Sequence, residues 1–121
     1  MIIEMEGMLH DQNISILIDP GSNFSYNSIV VMEKCALMKE AGDEPWLVKL
    51  ATWMKSRVEY WVKACPIELN GMSIIVNLNV LPLGRYNILL GMDWLYAHRA
   101  KVDCYEKAIE CLDEVGERRM L

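Results

Sequence analysis

Two short apolar runs, each closed by an aspartate-bearing turn, constrain this chain more than any other feature. The first, Ile14-Ser15-Ile16-Leu17-Ile18, ends in Asp19-Pro20-Gly21. The second, Ile88-Leu89-Leu90, runs into Gly91-Met92-Asp93-Trp94-Leu95 about seventy residues later. Runs this short and this apolar read as buried strands, and the first, apolar on both faces, as a central one. A carboxylate at the end of a buried strand is costly unless it is paired, hydrogen-bonded or protonated. Burial and like-charge neighbours are also what turn a carboxyl into an acid or base near working pH. Taken alone, Asp19-Pro20-Gly21 is equally a common turn, with Pro fixing φ and Gly taking positive φ.

The rest of the chain alternates in short segments. Ile2 to Leu9 reads as a strand, Asp11-Gln12-Asn13 as a turn, and Ile14 to Ile18 as the second strand. Ser28 is placed to cap a helix from Ile29 to about Met38, with Ile29, Met32 and Cys35 at helical spacing. Gly42 and Pro45 mark Glu40 to Pro45 as a polar break. Trp46 to Trp53 alternates again, Met54-Lys55-Ser56-Arg57 reads as a hairpin tip, and Val58-Tyr60-Val62 as the return. Asn70-Gly71 is the strongest turn signal, because both residues tolerate positive φ in a type I′ turn. It joins Ile67-Glu68-Leu69 to a strand from Ser73 to Leu81. Tyr86 to Leu90 is a further strand, Met92 to His98 a short helix, and Lys101 to Leu112 a hairpin turning near Glu106-Lys107. Seven or eight short strands with two short helices predict a small, mostly antiparallel barrel or sandwich.

A chain of 121 residues is one domain, and 53% hydrophobic residues supply its core. With a single Phe, that core rests on Ile, Leu, Val, Met and Trp. The net charge of -5 and the lack of a basic stripe argue against a nucleic-acid partner. Trp53, Tyr60 and Trp61 beside Lys55, Arg57 and Lys63 could be a base-stacking platform; amphipathic sides of a hairpin are the better reading. No apolar stretch approaches a bilayer span, so no membrane partner is expected, and Met1-Ile2-Ile3-Glu4 lacks the pattern of a signal peptide. Cys35, Cys65, Cys104 and Cys111 form no Cys-x-x-Cys pair, and His10 and His98 stand alone. The expectation is free, buried thiols in a reducing compartment, with no metal site and no cofactor.

Several stretches together carry a family likeness: Leu17-Ile18-Asp19-Pro20-Gly21-Ser22 with Ser25-Tyr26, then Cys65-Pro66-Ile67-Glu68-Leu69-Asn70-Gly71, Val80-Leu81-Pro82-Leu83, Tyr86-Asn87-Ile88-Leu89-Leu90-Gly91-Met92-Asp93-Trp94-Leu95, His98, and Val102-Asp103-Cys104. They resemble the retropepsin-like aspartic proteases of gypsy-type LTR retrotransposons, especially those of plants. The resemblance implies an all-β acid-protease fold, one closed barrel lobe per chain with one or two short helices. It places the domain at 2–112 and leaves 113–121 as a polar C-terminal tail. It further implies that Asp19 is catalytic on an active-site loop formed by Pro20, Gly21 and Ser22. Substrate would be met by Asn23, Leu83, Leu89 and a flap containing Trp53, Met54, Lys55 and Ser56. The chain has only one Asp-x-Gly, so two copies must meet on a two-fold axis to build a pair of carboxylates. Such a pair shares one proton.

The implied activity is homodimeric aspartic endopeptidase, acting on an extended peptide or a retrotransposon polyprotein in the cytoplasm, within retrotransposon particles. Asp93 is assigned a structural role at a helix start. Two departures stand out. Pro20 replaces the usual Ser or Thr, whose hydroxyl helps lock the two aspartate loops together, and the flap tip lacks glycine. These departures keep a second function open, a catalytically impaired dimer that serves binding or assembly.

Overall fold

The computed structural model describes residues 2–34, 40–49, 55–83, 86–103 and 105–121. Among the described residues there are ten strands and two helices. In chain order these are β1 (Ile3–Leu9), β2 (Gln12–Ile18), β3 (Tyr26–Asn27), α1 (Ile29–Lys34), β4 (Glu40–Lys49), β5 (Lys55–Leu69), β6 (Met72–Val80), β7 (Ile88–Leu90), α2 (Met92–Ala97), β8 (Lys101–Asp103), β9 (Ala108–Leu112) and β10 (Arg118–Met120). Strands β1-β2-β7-β3-β6-β5 follow one another around a ring, which the pairing of Gly7 with Leu69 and of Met8 with Glu68 closes. The result is the expected all-β closed barrel with two short helices. Strand β4 hangs on the outside of β5, and β8, β9 and β10 form a separate three-stranded sheet.

Side-chain alternation explains the closure. In β6, Met72, Ile74, Val76, Leu78 and Val80 point inward, while Ser73, Ile75 and Asn77 point out. The barrel interior is filled by Ile16, Ile18, Leu69, Leu78, Ile88 and Leu90, all fully buried, each contributing about 1.5–3 kcal/mol by leaving water. Strand β2 is central as expected, antiparallel to β1 and parallel to β7. Ser28 caps α1, its Oγ accepting from Val31 N at 3.0 Å.

Asn70 (φ 46°) and Gly71 (φ 86°) make the anticipated tight turn. The first hairpin differs. It turns at His10 (φ 48°) and Asp11 (φ 62°), and Gln12 and Asn13 already belong to β2 opposite Leu9 and Met8. Asp and His tolerate the left-handed region better than most non-glycine residues, so the turn needs no glycine. The polar break at Glu40 to Pro45 is overridden: these residues lie in β4, whose pairing with β5 shifts register between Ala41 and Trp46. An edge strand with a bulge accommodates Gly42 and Pro45. The hairpin tip differs too. Lys55, Ser56 and Arg57 sit in β5 opposite Lys49, Val48 and Leu47, and Met54 lies outside the described residues.

The segment 113–121, expected as a polar tail, carries strand β10, in which Arg118, Arg119 and Met120 pair with Leu112, Cys111 and Glu110. Its turn is organised by Asp113, whose Oδ1 accepts from Val115 N and Glu117 N at 3.1 and 2.8 Å. Arg119 Nε donates to its Oδ2 at 2.9 Å. These donors, the Glu117 amide first, hold the Asp113 carboxyl below the usual carboxylate range. Cys65 and Cys111 are buried. Cys35 and Cys104 lie outside the described residues.

Candidate active site

The loop that leaves β2 is tied down at both ends. Asp19 N donates to Leu90 O at 2.9 Å, which sets the aspartate directly after the β2–β7 pairing. Ser22 N donates to Asp19 O at 3.1 Å and closes a four-residue turn over Pro20 and Gly21. Gly21 does not take positive φ, contrary to the simple turn reading. Its usefulness is space: a Cβ there would lie 3.1 Å from Asp19 Oδ1. The same oxygen accepts from Gly21 N at 2.9 Å, so the loop backbone aims the Asp19 carboxylate. Asp19 is half-buried, held by its own loop and still open on one side.

The second apolar run supplies the floor beneath this loop. Met92 N donates to Ser22 O at 2.7 Å and Asp93 N to Asn23 O at 3.1 Å, both from the first turn of α2. Gly91 is required by close approach, since a Cβ would stand 2.7 Å from Ser22 O and still nearer to Phe24 O. The Asp93 carboxylate then clasps the fully buried Ser25. Oδ1 accepts from Ser25 Oγ at 2.6 Å and from Trp94 N at 2.8 Å, and Oδ2 from Ser25 N at 3.1 Å. Ser25 Oγ in turn accepts from Gly91 N at 3.0 Å. The structural role expected of Asp93 at the start of α2 matches this geometry. Its partner Ser25 was not foreseen, nor was Asn79, which donates from its main chain to Ser25 O at 2.9 Å. Partners this far apart in the chain leave no local pattern.

His98 closes the other end of α2. Its Nδ1 meets Trp94 O at 2.9 Å, its Nε2 meets Glu114 Oε1 at 3.1 Å, and its ring stacks on Trp94 with centroids 4.6 Å apart. Glu114 Oε1 also accepts from Ile75 N at 3.0 Å. The helix beneath the loop is thereby joined to the barrel and to the C-terminal hairpin.

Asp19, Pro20, Gly21 and Ser22 thus lie together, with Asn23 exposed beside them. Ser22 Oγ donates to Phe24 O at 2.9 Å and is hydrogen-bonded to the phenol of Tyr26. Burial raises the Tyr26 phenol above its usual range; the Ser22 bond offsets part of that rise and the Asp93 charge adds to it. Leu83 and Leu89 pack against a second apolar cluster of Tyr26, Val58 and Leu81, separate from the barrel interior. Trp53 and Met54 lie outside the described residues, while Lys55 and Ser56 are in β5 rather than at a tip. Among the described residues, no three metal-binding side chains converge, and no helix is long and apolar enough to cross a membrane.

The chain is similar in fold to the retroviral protease-like domain of Ddi1 from Leishmania major, known from a crystal structure. The TM-score is 0.71 at 16% identity, over 99% of this chain and 94% of that one. No curated protein matches it in sequence. The family model described as retroviral aspartyl protease matches residues 1–117. A match over nearly the whole length, on a barrel whose Asp19 loop is seated on the Gly91–Asp93 turn, shows that the chain belongs to the retroviral aspartyl protease family.

Proposed function

We propose that the chain is an aspartic endopeptidase that works as a homodimer, with Asp19 as the catalytic carboxylate of each copy. The observation that carries this reading is the aim of Asp19: a partly open carboxylate held by Gly21 N, on a loop anchored by six hydrogen bonds to Leu90, Gly91, Met92 and Asp93. One chain contains one such group, and retropepsin-like domains typically work as dimers. Across a two-fold axis, two Asp19 carboxyls would share a proton. The ionised one takes a proton from water, and the protonated one donates to the scissile carbonyl as that water attacks. Peptide would lie extended between this loop and the β4–β5 hairpin, pairing through its main chain. Closure of the hairpin would exclude bulk water. The substrate we assign is a retrotransposon polyprotein of the gypsy type, on the strength of the sequence motifs alone.

Pro20 supports a second reading, a dimer that binds or assembles without cutting. It has no N–H and no hydroxyl to offer a twin loop, and it faces the groove along α2 lined by Met92, Leu95 and Tyr96. Cleavage of a peptide library at mildly acid pH, inhibited by pepstatin and abolished by Asp19→Asn in a dimer that still forms, is the expected outcome. A strict monomer at high concentration, or full turnover by Asp19→Asn, refutes the proteolytic reading. Pro20→Ser separates the two. A restored N–H and hydroxyl add about 0.5–1.5 kcal/mol per bond on each side of the axis, against about 0.4–1 kcal/mol lost by freeing the unfolded chain. Higher activity and tighter dimers are expected. A variant that is less stable and no more active shows a loop geometry built around proline.

A further inference from the structure

Away from the Asp19 loop, the outer face of the barrel carries a hollow of about 590 Å³. Strand pairing builds its floor. Met8, Glu68 and Ser73 stand in one row across β1, β5 and β6, and Pro66 and Ile75 in the next. Alternation turns these side chains outward, and all five residues are exposed. Ile75 is 55% exposed and Met8 36%, so the Glu68 carboxylate stands among uncovered apolar side chains. One wall is the β1–β2 turn with His10 and Asp11. The other is Glu114, fixed in place by Ile75 N and His98 Nε2. Met8 lies opposite Asn13, and β2 runs from there to Asp19 over about 20 Å. The hollow is therefore remote from the catalytic loop.

We propose that this hollow docks an extended protein segment in which Lys or Arg stands next to an aliphatic side chain. Charge selects the occupant. Asp11, Glu68 and Glu114 bring three carboxylates to the hollow, and none of its lining residues is Lys or Arg. Among the described residues, the carboxylates of Asp11 and Glu68 have no ion-pair partner. The apolar floor narrows the choice further. A Lys or Arg stem can lie along Met8, Pro66 or Ile75 while its charged head reaches a carboxylate, and an aliphatic neighbour covers Ile75. The other classes of occupant fit less well. A second copy of this chain brings a further net charge of -5, and phosphate backbones and anionic lipid surfaces are repelled by the same carboxylates. The proposal does not depend on the proteolytic reading; in a protease, such a site would hold a substrate protein outside the cleft.

The test is fluorescence anisotropy at about pH 7 with two labelled peptides, Gly-Lys-Val-Arg-Val-Lys-Gly and Gly-Glu-Val-Glu-Val-Glu-Gly. The basic peptide should bind, the acidic one should not, and added salt should weaken the complex. Glu68→Gln and Asp11→Asn should each weaken it about two- to fivefold, the worth of an exposed ion pair. Ile75→Ser should weaken it about fivefold by removing apolar cover. All three positions are exposed, so the variants should fold. Glu106→Gln makes the same charge change between β8 and β9, on the separate sheet, and should leave binding unchanged. Asp19→Asn should do so too. No binding at about 1 mM protein, equal binding of the two peptides, or unmoved affinity in Glu68→Gln and Ile75→Ser overturns the proposal. An equal effect of Glu106→Gln reduces it to net charge and overturns it as well. Loss of binding in Asp19→Asn puts the peptide in the catalytic groove, which overturns the docking hollow and leaves the proteolytic reading standing.

Discussion

Replacing Asp93 by Asn tests whether the loop is held by the clasp beneath it. The carboxylate receives three donors, Ser25 Oγ and Trp94 N on Oδ1 and Ser25 N on Oδ2. Asparagine keeps the shape but offers one acceptor oxygen and an NH₂ group. With its oxygen toward Trp94 and the Ser25 hydroxyl, the NH₂ faces the Ser25 N–H, donor against donor. Ser25 is fully buried, so that N–H has no route to water, and an orphaned buried donor costs about 1–3 kcal/mol. The two surviving bonds lose their charge assistance, roughly half their strength and about another 1 kcal/mol. The expected loss is therefore about 2–4 kcal/mol, from a total of about 5–15 for domains of this kind. The protein should stay folded and melt about 10 °C lower.

Denaturant titrations of the wild type, Asp93→Asn, Ser25→Ala and the double variant measure this at one fixed protein concentration, because dimerisation contributes to apparent stability. The cycle should return a coupling of at least about 1 kcal/mol between the two positions. Peptide cleavage should fall further than stability predicts, since Ser25 and Asp93 hold the loop that aims Asp19 and misplacement by about 1 Å can cost a hundredfold in rate. A loss below about 0.5 kcal/mol, or additive single effects, would refute the reasoning and show the buried Ser25 N–H to be satisfied elsewhere.

Gly91→Ala places a methyl against the carbonyls of Ser22 and Phe24, which are main-chain atoms with little freedom to yield. A loss of about 3 kcal/mol or more is expected in the same titrations, together with loss of cleavage. Asp113 has a lowered pKa in the folded state, so its contribution is fully present above about pH 4, the unfolded carboxylate range, and is lost as pH falls through the lower folded value. Unfolding followed from pH 5 to pH 2 should show Asp113→Asn to be less acid-sensitive than the wild type; equal sensitivity would remove Asp113 as a source of that loss.

What the sequence revealed and what it hid divide along the range of the interaction involved. Asn70-Gly71 announces its turn because positive φ at both central residues is a property of those residues themselves. The two apolar runs announce a buried pair of strands for the same kind of reason, and the parallel register of Ile16, Leu17 and Ile18 with Ile88, Leu89 and Leu90 realises it. Local preference misleads where pairing outweighs it. Gly42 and Pro45 look like the end of a strand, yet the neighbour β5 draws residues 40–49 into a ladder and a register shift takes up the difference. The same cause acts at Lys55 and Ser56, whose polar character suggests a turn and whose cross-strand partners Lys49 and Val48 show instead that they belong to a ladder. The site itself is split in this way. Asp19 and Asp93 are both visible as aspartates next to turns, but their roles diverge only through partners. Asp19 is aimed by an amide two residues away, whereas Asp93 is occupied by Ser25 across 68 residues of sequence. Three donors already occupy the Asp93 carboxylate, whereas the Asp19 carboxylate has its one donor and an open side where a water can reach it, and that contrast, more than the motif spelling, is the physical case for Asp19.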